Sequence, residues 1–259
     1  MNCIFCKSDS SNSRSTEHIV PESLGNKEHT LPPGVVCDKC NNYFATKVEK
    51  YFLESDAIKS LRFEQMIKSK RNRIPPVDGF VSAKYPAKIF KKITDDYSFD
   101  FFLETNDAGL KHLQTAQQGN IYIPYNHKPP DKFLTSRFLA KMALELLADR
   151  LFKAKEDVQY IINEEQLDPI RYHAREGRIR KWPFYERRIY PANRHFKDKN
   201  GKLVQTLFEL DILVTEKNEY YFIFALFGIE LTINIGGPEL EGYEKWLEKN
   251  NYVSPLYIN

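Results

Sequence analysis

The sequence has 259 residues and a formal net charge of +3, with 42% hydrophobic and 28% charged residues. These values are typical of an ordinary globular protein that builds its own core, as one large or two modest domains. The 15 Tyr and 18 Phe favour well-filled β-structure over a coiled coil, and so small a net charge is weak evidence for a nucleic-acid partner.

The sequence also bears on where the protein works. No stretch is apolar for long enough to span a bilayer, and the first residues lack the basic and apolar regions of a signal peptide. We therefore expect a cytoplasmic protein with no membrane partner. Because the cytoplasm is reducing, cysteines paired at metal-binding spacing are expected to be metal ligands there rather than disulfides.

All four cysteines lie in the first forty residues, in two C-x-x-C knuckles. The first knuckle is Cys3–Cys6 and the second is Cys37–Cys40. Four thiolates can surround one zinc ion tetrahedrally at about 2.3 Å per bond, and such a site has no open position. The spacing therefore predicts a structural zinc, which replaces the core that about fifty residues cannot build alone.

The segment around the second knuckle has a predicted order of strand, loop, knuckle and helix. Residues 16–21 are expected to form a short strand closed by Pro21, and Gly and Pro residues mark the loop that follows. Apolar residues at helical spacing predict an amphipathic helix that begins at Asn41 and extends to Leu53.

The rest of the chain predicts a larger α+β domain with an antiparallel sheet, over residues 86–259. Residues 59–85, with basic residues and Pro75–Pro76, are expected to be a linker or domain edge. The strongest predicted helix follows Asp131, and residues 207–214 and 220–227 are predicted to form a hairpin. A further strand at 231–235 and a short helix at 243–249 complete the prediction.

About the first 55 residues resemble a known family. The run from Glu17 to Gly25 reads Glu-His-Ile-Val-Pro-Glu-Ser-Leu-Gly, it lies between the two knuckles, and Asn41 follows the last cysteine directly. This arrangement resembles the four-cysteine, zinc-stapled ββα-metal subgroup of the HNH endonucleases, which has a Glu-His-Ile-x-Pro-Glu-x-Leu-Gly motif. The resemblance implies an HNH nuclease domain over residues 1–58.

The resemblance also implies roles for individual residues. Glu17 and Asn41 would hold a catalytic divalent ion, Mg²⁺ or Mn²⁺, and His18 would be the general base in phosphodiester hydrolysis. Two oxygen donors suit a hydrated Mg²⁺, and an imidazole titrates near neutral pH. Asn26 and His29 are the candidates for the middle Asn of the pattern. Proteins of this layout resemble host-defence nucleases, and DNA is the expected substrate.

Two alternatives to the nuclease remain open at this point. The N-terminal segment could be a non-catalytic zinc module that binds nucleic acid or protein. The C-terminal domain could itself be a metal nuclease built on Glu209, Asp211 and Glu230. The oligomeric state is open, a homo-oligomer included.

Two basic clusters could contact phosphates, although a solvated charged face is the favoured interpretation of such runs when they are taken alone. The first cluster is Lys68, Lys70, Arg71 and Arg73. The second contains the four residues that we expect to bind nucleic acid, Arg178, Arg180, Arg187 and Arg188.

Overall fold

The computed structural model describes residues 1–95, 98–116, 118–124, 128–197 and 200–257. It is a mixed α and β structure with antiparallel sheets, as predicted. The chain forms two compact units. Unit 1 contains residues 1–20, 27–50 and 132–259, and unit 2 contains residues 21–26 and 51–131.

Unit 1 combines the N-terminal residues with the C-terminal half of the chain. Its strands are β1 (Glu17–His18), β2 (Thr30–Leu31), β7 (Tyr185–Arg188), β8 (Phe196–Lys197), β9 (Leu203–Val204), β10 (Phe208–Val214), β11 (Tyr220–Leu226) and β12 (Ile229–Asn234). Its helices are α1 (Asp38–Phe44), which continues into a π-helical turn (Ala45–Glu49), α5 (Lys132–Lys153), α6 (Gln159–Asn163), α7 (Asp168–Glu176) and α8 (Glu241–Lys249). Strands β1 and β2 pair with each other, and a four-stranded sheet has the order β10-β11-β12-β7.

Helix α5 is the central element of unit 1. Every residue from Thr135 to Leu146 is buried, which is the pattern of a helix that is covered on all sides. It packs on α7 and on strands β11 and β12, and the rings of Phe138 and Phe224 meet edge to face at 6.4 Å. Burial of this apolar surface is the main source of stability for the unit.

Unit 2 is built on a second antiparallel sheet of order β5-β4-β3-β6. Its elements are α2 (Lys50–Leu53, which begins at the last residue of unit 1), α3 (Asp56–Glu64), β3 (Val77–Val81), β4 (Tyr85–Asp95), β5 (Ser98–Thr105), α4 (Asp107–Thr115) and β6 (Ile121–Tyr122). A core cluster joins α3 to the sheet through Phe63, Ile74, Val77 and Ile89. Gly79 lets β6 approach β3, because a Cβ there would lie 2.5 Å from the carbonyl oxygen of Tyr122.

Most predicted elements are confirmed, including the long helix after Asp131, the hairpin of β10 and β11, and the closing helix α8. The predicted start of the helix at Asn41 was wrong. It begins at Asp38, because the Cys37 sulfur accepts the Cys40 amide and caps the helix. Residues 59–85 include most of α3 and all of β3. The division into a nuclease domain, a linker and a C-terminal domain stays a prediction.

Across the described ranges, none of the helices combines the length and apolarity that crossing a bilayer requires.

Candidate metal centre and its surroundings

The four cysteine sulfurs converge on one point in unit 1. The Sγ atoms of Cys3, Cys6, Cys37 and Cys40 all lie within 4.8 Å of one another. The Cys6 and Cys37 sulfurs are 3.6 Å apart, far longer than a disulfide bond of about 2.05 Å. Zinc–sulfur bonds of about 2.3 Å give a tetrahedral edge of about 3.8 Å. The cluster therefore has the dimensions of a four-thiolate zinc site.

The surroundings of the cluster favour thiolates. The Cys37 amide donates to Cys3 Sγ at 3.3 Å, and the Cys40 amide donates to Cys37 Sγ at 3.4 Å. From α7, Arg175 Nε donates to Cys40 Sγ at 3.1 Å. A hydrogen bond from the Cys40 thiol lowers the pKa of Cys3 to about 5, whereas the same bond raises the pKa of Cys40 and burial raises that of Cys37. These amide and guanidinium donors stabilise negative charge on sulfur, as a bound zinc ion requires.

The three residues expected at the catalytic site come together at β1. Glu17 pairs with Leu31 across the two-stranded sheet, and its side chain is buried while that of His18 is half-buried. Asn41 Nδ2 donates to the carbonyl oxygen of Thr16 at 3.4 Å. This bond brings the residue that follows the second knuckle beside the start of the Glu17–His18 strand.

Lys141 of α5 contacts this strand from the interior of unit 1. Its Nζ lies 2.7 Å from Glu17 Oε1 and 2.7 Å from Glu49 Oε1. It also lies 2.9 Å from Glu145 Oε2 and donates to the carbonyl oxygen of His18 at 3.0 Å. The Lys141 side chain has no solvent exposure. We call Lys141, Glu17, Glu49 and Glu145 the lysine cluster.

The lysine cluster contains one ammonium group and three carboxyl groups. Burial alone would lower the pKa of Lys141, but Glu145, Glu17 and Glu49 together raise it well above its usual range. Burial raises the pKa of Glu17 and raises that of Glu145 further, although the Lys141 ammonium opposes both shifts. Lys141 is therefore a firmly held cation among carboxyl groups that are costly to ionise.

Sequence reasoning missed Lys141 and Glu145. A signal for these two residues was present. They stand four residues apart within Phe138–Leu147, which is otherwise apolar or Ala. A charged pair inside a run that is buried on all sides must be compensated by partners, but the sequence does not say which.

The donors at β1 fit a divalent cation. Glu17 is 4% exposed, and within the described residues its Oε2 atom is buried without a hydrogen-bond partner. Burial of such an oxygen without a partner costs free energy, and a bound cation or a proton would remove that cost. Glu17 and the neighbouring Asn41 carry a carboxylate and an amide oxygen, which are hard donors of the kind that Mg²⁺ and Mn²⁺ prefer.

The four arginines predicted to bind nucleic acid lie at or after the C-terminal end of α7 and have different environments. Arg178 and Arg180 are exposed and stack on the rings of Tyr172 and Phe133 respectively. Arg187 has a side chain that is only 15% exposed and forms an ion pair with Glu230. Exposed Arg188 donates to the carbonyl oxygens of Tyr190 and Phe227. Their contact with phosphates stays a prediction.

The alternative nuclease core in the C-terminal half is not supported, because its three carboxylates are engaged separately. Glu209 accepts from the hydroxyls of Tyr190 and Tyr257, Asp211 pairs with Arg150, and Glu230 is buried against Arg187, Tyr243 and Ser254. Within the described ranges, the only group of three or more His, Cys, Asp or Glu side chains close enough to hold a metal ion is the four cysteines.

Comparison with known proteins identifies the N-terminal segment. Residues 3–56 match a family model described as HNH endonuclease. The match covers both knuckles, β1 and α1, so this segment is an HNH module, as the motifs predicted. No curated protein and no solved structure matches the chain significantly.

Proposed function

We propose that this protein is a metal-dependent HNH endonuclease that hydrolyses phosphodiester bonds of DNA. The observation that carries the proposal is the hydrogen bond from Asn41 to the carbonyl oxygen of Thr16. It gathers the acidic residue, the histidine and the asparagine of the family motif at one strand, within the segment that matches the HNH model. A zinc module used only for binding has no need of this triad.

His18 is the general base of the proposed reaction. The His18 side chain is half-buried, and an imidazole can accept a proton from an attacking water near neutral pH. Its backbone is fixed by the pairing of β1 with β2 and by the bond from Lys141 to its carbonyl oxygen. The base is therefore held on a rigid element, which general-base catalysis requires.

Glu17 and Asn41 are the proposed protein ligands of a divalent ion. A bound Mg²⁺ or Mn²⁺ would supply charge stabilisation for the phosphoryl group and the leaving oxygen. Glu17 Oε1 is occupied by Lys141, which leaves Oε2 for the ion. Lys141 is a positioning residue in this scheme, because it orients Glu17 and anchors His18 without touching the substrate.

The proposed substrate is DNA, with Arg178, Arg180, Arg187 and Arg188 near the phosphates. Exposed Arg178 and Arg180 are the best placed of the four, since their guanidinium groups lie on aromatic rings at the surface, where Arg178 also pairs with Glu176. A cytoplasmic location and a role in host defence accompany this proposal as expectations from the sequence.

The nuclease proposal is tested by cleavage of plasmid DNA and of RNA with Mg²⁺ or Mn²⁺. We expect His18→Ala to lose about a hundredfold to ten-thousandfold in rate while it retains zinc and native circular dichroism. His195→Ala is the matched control, because His195 is exposed and far along the chain from the motif. Equal rates for the parent and His18→Ala would refute catalysis by this site and leave a zinc-binding module as the better account.

The assignment of Glu17 and Asn41 as ion ligands predicts a different kinetic effect from that of a general base. Asn41→Ala and Glu17→Gln should need a higher Mg²⁺ or Mn²⁺ concentration for half-maximal rate, whereas His18→Ala should lose rate at every metal concentration. If all three variants lose rate with an unchanged metal requirement, Glu17 and Asn41 do not hold the ion. RNA cleaved in preference to DNA would correct the substrate class alone.

A further inference from the structure

A basic cleft in unit 2 is not used by the nuclease site. Its walls are α3, the loop that follows it, and strands β3, β4 and β5. Its volume of about 1330 Å³ exceeds the roughly 300–1,000 Å³ of ordinary small-molecule pockets. Twice as many Lys and Arg as Asp and Glu side chains line it, and the basic residues include Lys59, Arg62, Lys68, Arg71, Arg73 and Lys92. The volume of the cleft and the excess of basic side chains in its lining fit a segment of a polyanion.

The loop at the rim of the cleft has a defined backbone. The Ser69 amide donates to the carbonyl oxygen of Arg73 at 2.8 Å, and the Asn72 amide donates to that of Ser69 at 2.8 Å. Ile67 and Ile74 are buried on either side and anchor the ends of the loop. The loop therefore presents its cations from a fixed frame rather than from a flexible tail.

The cations on this loop are available. Lys68, Arg71 and Arg73 are exposed, and in the part of the chain that the structure describes none of them forms an ion pair. Exposed, unpaired cations at one rim are the arrangement that neutralises a phosphate backbone, and each contact of this kind releases counterions.

Arg62 is an independent sign that the cleft takes an anion. Its side chain lines the cleft although the residue is only 5% exposed. Its Nε is buried, and no acceptor for it lies among the described residues. Burial lowers the pKa of this guanidinium, and no opposing shift from a neighbouring carboxylate accompanies it. A buried cationic donor without an acceptor is costly, and a phosphate oxygen in the cleft would remove that cost.

We propose that this cleft binds the phosphodiester backbone of nucleic acid and makes unit 2 a substrate-binding lobe. The inference rests on the proposed nuclease function for the identity of the polymer. In this proposal, Arg62 and the cations of the 68–73 loop bind successive phosphates. Unlike the nuclease site, the cleft needs no divalent ion, so binding and cleavage can be measured separately.

The test measures binding of a fluorescent DNA duplex, and of the corresponding single strand, to the full-length His18→Ala protein without added divalent metal. The cleft variant carries three charge reversals, Lys68→Glu, Arg71→Glu and Arg73→Glu. The control variant carries three reversals at exposed positions in unit 1, Lys197→Glu, Lys217→Glu and Lys245→Glu. Both variants change the net charge by the same amount, so a difference between them reports the location of binding and not the total charge.

We expect the cleft variant to bind at least about tenfold more weakly than its parent and to lose up to about 3 from the slope of log Kd against log salt. The control variant should change far less. Equal losses in the two variants would overturn the proposal, because binding would then follow overall charge. Inorganic pyrophosphate that competes at the same concentration as DNA phosphate would overturn it too, since the cleft would then hold a small anion.

Arg62→Met adds a second measurement that needs no disruption of the loop. Loss of an uncompensated buried guanidinium should leave thermal stability unchanged or higher while DNA binding weakens. Lower stability with unchanged binding would assign Arg62 a structural role and refute its part in the site. If His18→Ala still cuts DNA but the cleft variant binds poorly, the catalytic assignment fails and the binding site stands.

Discussion

Replacement of Lys141 by Met is the sharpest test of how unit 1 is held together. The Lys141 side chain is fully buried, and its Nζ contacts Glu17, Glu49 and Glu145 at 2.7, 2.7 and 2.9 Å. Met has nearly the same length, so it can fill the space of the Lys141 side chain. The substitution therefore removes the charge and the hydrogen bonds while it changes packing very little.

The expected cost follows from what the substitution leaves behind. Without the ammonium, the carboxyl groups of Glu17 and Glu145 stay buried at 4% and 0% exposure with no cation beside them. Removal of one partner from a buried ion pair typically costs about 3–5 kcal/mol, because the remaining charge is uncompensated. We expect a loss in this range in the free energy of unfolding. Protonation of Glu145 limits the loss, since its pKa is already raised by burial.

The assay is equilibrium denaturation in urea at neutral pH, followed by tryptophan fluorescence. The control is Lys153→Met on the same helix, because the Lys153 side chain is 64% exposed and pairs with Asp149. It should cost less than about 1 kcal/mol. Lys141→Met with Glu145→Gln should recover part of the loss, because neutralising one carboxylate removes one uncompensated charge. A loss below 1 kcal/mol for Lys141→Met would refute the reasoning, because the buried contacts would then contribute nothing net.

Three further predictions concern the metal, the pH dependence and the minimal fragment. Purified protein should contain about one zinc per chain by elemental analysis, and Cys37→Ser should lose the metal together with the fold of the N-terminal module; a metal-free parent with reactive thiols would contradict the zinc site. Burial lowers the pKa of His173 to about 4, below about 6.5 for the unfolded chain, so the folded protein resists protonation. Its contribution is complete above pH 6.5 and falls by about 3 kcal/mol as the pH drops through 4, and His173→Gln should remove this part of the acid sensitivity in urea titrations at pH 7 and pH 4.5. A zinc-loaded fragment of residues 1–58 should melt well below the full chain in circular dichroism, and equal melting temperatures would show that the module needs nothing from the C-terminal half.

The sequence predicted well wherever the determining information is local. Two C-x-x-C knuckles fix the metal chemistry by spacing alone, and the Glu17–Gly25 run places the expected base and ligand on one strand. Apolar periodicity predicted α5, and alternating apolar and turn residues predicted the hairpin of β10 and β11. Each of these features is set by residues within about forty positions of one another.

The sequence failed where partners are far apart along the chain. The bond from Lys141 to the carbonyl oxygen of His18 spans 123 positions, and that from Arg171 to the carbonyl oxygen of Ile4 spans 167. No local pattern specifies such partners, because a buried charge reveals only that it must be compensated. Composition likewise marks residues 59–85 as a basic, proline-containing stretch but does not show the contacts that join residues 1–20 to residues 132–259 in one unit, and the boundaries at 58 and 85 stay predictions.

The lysine cluster is not needed to stabilise the fold as such, because apolar side chains could do so equally well. Its position at β1 therefore has another explanation. Well-packed apolar side chains in place of a buried ion pair are often as stable or more stable, and α5 is apolar on both sides of Lys141 and Glu145. What apolar side chains cannot provide is a directional contact to a carboxylate and a carbonyl oxygen on a strand of only two residues, Glu17–His18. So short a strand has few backbone bonds of its own, and the buried ammonium of Lys141 ties it to α5 through two contacts, one to Glu17 Oε1 and one to the carbonyl oxygen of His18. The lysine cluster therefore links α5, from the C-terminal half of the chain, to the N-terminal module, for which the family match covers only residues 3–56.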